Sequence, residues 1–195
     1  MTTYTLNITP FGQMSDEQFY QLCCKNPNIK FERNQQGNLI IMSPTGGEIG
    51  NYNSEINADF VLWNRQTKLG IVFDSSTCFR LPSGANRSPD VAWVSKDKWN
   101  QLTPEEKSQF PPIAPDFVLE LMSPSDHLKD TQEKMEEYMI SGVKLGWLIN
   151  PRQQTVEIYR QEIEIELLTK PNYLFGEKIL PDFTLNLQFL WLGNN

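Results

Sequence analysis

Residues 115–126 read PDFVLELMSPSD, and the run from Phe117 to Met122 is apolar at every position except Glu120. A short, continuous apolar run bounded by proline and serine reads as a strand buried on both faces. A carboxylate is seldom left in such a strand without a partner, because an unpaired charge out of water is costly. Glu120 therefore needs company, and its partners decide both fold and function.

Outward from this strand the periodicities alternate. On its C-terminal side, HLKDTQEKMEEYMISG reads as an amphipathic helix with Leu128, Met135, Tyr138 and Met139 as its buried stripe and Gly142 as its stop. VKLGWLINP and TVEIYRQEIEIELL then give further strands, and the alternating Glu162, Glu164 and Glu166 read as the solvent side of a half-exposed strand. On its N-terminal side lie SPDVAWV, CFRLP and IVFDS. Before them comes a helix whose apolar residues Ile49, Tyr52, Ile56, Phe60 and Trp63 recur at helical spacing, closed by Gly70. A hairpin around Gly37 and a helix capped by Ser15 begin the chain. The pattern is α+β: a mixed sheet flanked by helices, with hairpin strands at both ends, expected as one domain over residues 1–195.

Composition narrows the function. No apolar run approaches the ~20 residues of a membrane span, and the N-terminus lacks the basic start and apolar core of a signal peptide. Three cysteines, two of them adjacent, form neither a disulfide framework nor a zinc spacing, so cytoplasmic residence is expected. The net charge of −7 argues against a generic nucleic-acid coat. The charge is segregated, however: Arg65–Lys98 is basic and Glu105–Glu137 acidic.

Candidate partners for Glu120 can be ranked by geometry. Asp116 shares its strand face but lies ~13 Å away, too far to share an ion. Asp182 precedes a strand that no other carboxylate interrupts. Asp90 starts VAWV, and it reaches Glu120 if the two strands are neighbours. Two carboxylates converging on one side of a sheet suit Mg²⁺, which takes hard oxygen ligands and usually one or two carboxylates.

SPDVAWV, PDFVLELMSPSD and DTQEKMEEYMISGVKLGWLINP, in this order, resemble the Uma-two family of restriction-endonuclease-like proteins, a branch of the PD-(D/E)xK nuclease superfamily with many cyanobacterial members. The resemblance runs from about Met42 to Tyr159. It implies a restriction-endonuclease-like fold and Mg²⁺- or Mn²⁺-dependent hydrolysis of DNA. Asp90 and Glu120 would be its two acids, with the Leu121 carbonyl as a further ligand. Met122 stands where the superfamily lysine usually does. The family's substitute is a lysine on the following helix, and Lys134 holds that position. At ~100° per residue Lys134 lies ~80–90° from the buried stripe, whereas Lys129 lies ~130° away on the other side. A third acid is implied on the first long helix. Glu48, Glu55 and Asp59 share the flank that fits, with Glu48 best matched, although the helix dipole also favours an acid there. Arg87 matches a family arginine that could hold a phosphate or pair with an acid. Cutting both strands calls for two sites, which points to a homodimer. Met122 and the acidic balance favour the alternative, a catalytically weak or inactive nuclease-fold module that binds nucleic acid or protein.

Overall fold

The structure is a computed structural model that describes residues 3–192. It begins with strand β1 (Thr3–Leu6) and helix α1 (Asp16–Lys25). Ser15 caps α1 reciprocally: its hydroxyl accepts from Gln18 N, and the Gln18 side chain accepts from Ser15 N. Strands β2 (Lys30–Arg33) and β3 (Leu39–Met42) form the hairpin around Gly37. Helix α2 (Gly47–Thr67) buries its stripe from Ile49 to Trp63. Strands β4 (Gly70–Asp74), β5 (Phe79–Arg80), β6 (Asn86–Arg87) and β7 (Val91–Ser95) follow, then short helices α3 (Lys96–Asn100) and α4 (Pro104–Ser108). Strand β8 (Phe117–Leu121), helix α5 (Leu128–Ile140), and strands β9 (Leu145–Asn150), β10 (Thr155–Arg160) and β11 (Ile163–Thr169) come next. Strands β12 (Tyr173–Phe175) and β13 (Thr184–Asn186) and helix α6 (Gln188–Leu192) complete the described residues.

The central sheet has the order β11-β10-β9-β8-β7-β4. Its pairs are antiparallel except β8 and β9, which are parallel and joined through α5. Every residue of β8 is buried, as its apolar run requires. Period-two alternation divides the strand between two cores. Phe117, Leu119 and Leu121 pack with the α2 stripe, while Val118 and Met122 pack with Met135 and Tyr138 of α5. Glu120, between Val118 and Met122, therefore faces α5.

A second antiparallel sheet, β1-β3-β2-β6-β5, packs on α1 through Phe19, Phe31, Leu39 and Cys78. From β6 the chain passes through Ser88 and Pro89 directly into β7 of the central sheet. This passage brings β2 beside the end of β8.

Two local expectations change. Gly70 does not close α2; Lys68 does, in the left-handed region at φ 57°. Gly70 instead starts β4, where a Cβ would lie 2.3 Å from the Val94 carbonyl oxygen and 2.4 Å from the Trp93 ring. Strand β11 is exposed on both faces, Ile163, Ile165 and Leu167 included, because it is the sheet's edge and no helix covers it.

Candidate active site

Asp90 and Glu120 meet through sheet register. Strands β7 and β8 pair Val91 with Leu119, and one step further along this antiparallel ladder Asp90 stands opposite Glu120. Opposed residues share a face, with Cβ atoms ~4.5–5.5 Å apart. Leu121 N donates to Asp90 Oδ2 at 2.8 Å, and the Asn53 side-chain amide of α2 donates to Asp90 Oδ1 at 3.4 Å. Asn57 donates to the Asp90 carbonyl oxygen at 3.3 Å. The aspartate is thus fixed from both neighbouring elements.

Helix α5 supplies the groups above Glu120. Lys134 Nζ lies 2.8 Å from Glu120 Oε1, and the Tyr138 hydroxyl donates to the same oxygen at 2.8 Å. Positions 134 and 138 are one turn apart, so one helix face delivers both. Lys129 points to water, paired with Glu133 on its own helix. Met122 is core, packed with Val118 and Tyr138.

The hairpin adds a group that the sequence does not reveal. Glu32 of β2 is 2% exposed, and its Oε1 accepts from Lys134 Nζ at 3.0 Å and from Ser88 N at 2.9 Å. Its Oε2 accepts from Arg87 Nη1 at 2.9 Å. Arg87 Nε in turn donates to Glu137 Oε2, and Glu137 Oε1 accepts from Gln35 N at 2.7 Å. Charges alternate along the series Glu137, Arg87, Glu32, Lys134, Glu120. In the sequence Glu32 sits in KFER, whose alternation suits a solvated face, and its partners lie 55 and 102 residues away. No local signal could have found it. Arg87 carried the signal of a possible acid partner, and that is the role it has here.

Glu48 is exposed on the first turn of α2, where the Tyr52 hydroxyl donates to it at 3.2 Å. It does not line the cleft over Asp90 and Glu120, although Ile49 and Asn53 of the same helix do. That cleft encloses about 650 Å³ between the two sheets and α5, and Thr5, Ile40, Leu121 and Lys134 are also in its wall.

Burial drives the electrostatics. It pushes the Glu120 carboxyl up to about 7; Lys134 opposes the shift, while Asp90 and Glu32 reinforce it. Burial also raises Asp90, against the Leu121 N–H. Glu32 goes the other way: burial would raise it, but Lys134 and Arg87 together hold it down at about 2. Burial would lower Lys134, and Glu120 and Glu32 outweigh it to raise the ammonium further. Of the two carboxylates that pair with Lys134, Glu120 is the less compensated. Among the described residues no group of three or more His, Cys, Asp or Glu is poised to hold a metal. A carboxylate pair with a strand-end carbonyl nevertheless fits the donor set of Mg²⁺, which completes its shell with water and phosphate oxygens.

The family model described as "Uma2: Putative restriction endonuclease" matches residues 16–188. A solved structure from Anabaena variabilis ATCC 29413, titled as a putative nuclease belonging to DUF820, superposes with a TM-score of 0.70 at 21% identity, covering 83% of this chain and 89% of the other. At that identity the likeness establishes the fold alone. No curated protein matches the chain.

Proposed function

The chain belongs to the Uma2 family, and on that premise we propose that it is a Mg²⁺- or Mn²⁺-dependent endonuclease hydrolysing DNA phosphodiester bonds. One observation carries the proposal. Asp90, Glu120, Glu32 and Glu137 are four of the acidic residues in the cleft wall, and among the described residues Arg87 and Lys134 are the cations that pair within this group. Within this group of four the carboxyls outnumber the cations by two, and the shortfall falls on Asp90 and Glu120, where the effect of burial is not outweighed by a cation. A divalent ion would supply both charges at the place where they are lacking.

Asp90 and Glu120 would hold the ion with the Leu121 carbonyl. When bound, such an ion supplies polarisation of the scissile phosphate and acidifies the attacking water. The Leu121 amide and Asn53 keep Asp90 oriented, and Tyr138 fixes the Glu120 rotamer by its bond to Oε1. Lys134 would donate to the phosphate as negative charge develops on it. A donor already held in place costs no reorganisation at that moment. Delivery from α5 answers the loss of the usual lysine at Met122. Two copies of the chain would provide a site for each strand of a duplex.

The test is cleavage of covalently closed circular DNA. Wild type should nick or linearise it with Mg²⁺ or Mn²⁺ and stop with a chelator, and Asp90→Asn should be inactive with either ion. Cleavage that continues in the chelator or in the Asp90→Asn protein would refute the proposal.

A further inference from the structure

Lys134 sits where a cation at Glu120 must also come. Its ammonium shares Oε1 of Glu120 with the Tyr138 hydroxyl, at 2.8 Å each. A divalent ion arriving at Glu120 repels that ammonium, and the lysine is 8% exposed, so it has little access to water. What keeps it paired is Glu32, 3.0 Å away on its other side. Glu32 cannot follow the lysine, because Ser88 N and Arg87 anchor both of its oxygens and Glu137 anchors Arg87.

Resting on the metal site of the previous section, we infer that Glu32 is a positioning residue. It takes over Lys134 from Glu120 when the divalent ion binds and holds the ammonium at the phosphate. With Glu32 present, the ion would displace only one of the two carboxylates that Lys134 pairs with. Without it, Lys134 rests on Glu120 alone, and the ion must strip a buried ammonium of its last carboxylate. Glu32 therefore keeps Glu120 available, and it does so mainly through Lys134.

The experiment is Mn²⁺ binding, read by calorimetry or by the electron paramagnetic resonance of the free ion, with circular dichroism to confirm folding. Four proteins are compared: wild type, Glu32→Gln, Lys134→Ala and the double variant. Glu32→Gln should raise the Mn²⁺ dissociation constant about tenfold when Lys134 is present and about threefold or less when it is absent, the margin being the coupling between the two residues. The residual loss is the simple effect of removing a nearby negative charge. Glu32→Asp keeps the charge and draws the carboxylate back by one methylene. It should show the same dependence on Lys134, and it carries the test if Glu32→Gln does not fold. Equal losses with and without Lys134, or no loss in either background, would overturn the positioning role while leaving the metal site intact. Absence of Mn²⁺ binding by wild type would instead bring down the metal site, and the positioning role with it.

Discussion

Glu120 is a carboxyl group in an otherwise apolar strand, and its chemistry in the metal-free protein is that of a group short of cations. In the folded state it holds its proton to about pH 7, against an ordinary value of 4.5. Between those values the folded state binds more protons than the unfolded one, so stability falls as pH rises and the loss is complete above about 7. Glu32, depressed to about 2, works in the opposite sense. Its contribution is complete above about 4.5 and is lost as pH falls towards 2. Metal-free wild type should therefore lose stability between pH 4.5 and 7 on account of Glu120, and Glu120→Gln should lack that decline in urea melts. A wild type whose stability rises over this range relative to Glu120→Gln contradicts the assignment. For Lys134, substitution by alanine should lower the single-turnover cleavage rate by ~10²–10³ without weakening Mn²⁺ binding, and Lys129→Ala should change neither. At this scale Asp90 and Glu120 stood out because each interrupts or precedes an apolar run, whereas Lys134 stood out through the family resemblance, with helix geometry only favouring it over Lys129. Glu32 and Glu137 were not legible. Each looks like one of many solvated glutamates until Arg87 and Lys134 are brought to it by tertiary packing.

Among the elements, helix α5 and the β2–β3 hairpin are tied together by polar contacts. The helix carries Lys134 and Tyr138 to Glu120, and Glu137, one turn from Lys134, ties the helix to the hairpin through Gln35 N and to β6 through Arg87. Glu137→Ala removes both ties and leaves Arg87 with one carboxylate instead of two. It should cost about 3 kcal/mol, and hydrogen exchange at the Gln35 amide should accelerate. Unchanged stability and exchange would show that the hairpin is held by its apolar contacts alone. The elements themselves were largely readable. The stripes of α2 and α5, the Ser15 cap and the strands around Asp90 and Glu120 follow from periodicity and capping chemistry. Periodicity does not report which sheet a strand joins. The separation of the five-stranded sheet from the central one depends on long-range pairings such as Arg33 with Asn86. The exposure of Ile163, Ile165 and Leu167 likewise follows from the edge position of β11, not from its alternating sequence.

For the molecule as a whole, the proposed function sets stability against metal binding at the cleft. The central sheet is buried by α2 on one face and α5 on the other, and the wall between the sheets holds Asp90 and Glu120, whose carboxyl pKa values burial raises. The net charge of −7 gives no general attraction for DNA, so under the proposed function an ion at Asp90 and Glu120, together with Lys134, would have to create the attraction for phosphate locally. Bound only by the folded state, the ion should also repair the electrostatic deficit there. At a hundredfold excess over its dissociation constant Mn²⁺ should stabilise wild type by ~2.7 kcal/mol, which raises the melting temperature by ~5–10 °C for a chain of this size. The most direct measurement is the melting temperature of wild type and Glu120→Gln with and without Mn²⁺. The predicted result is a metal-free variant that melts at or above metal-free wild type, with a Mn²⁺ shift in wild type alone. A Glu120→Gln protein that melts well below wild type, with no Mn²⁺ shift in wild type, would contradict it and assign Glu120 to a buried ion pair that serves only the fold.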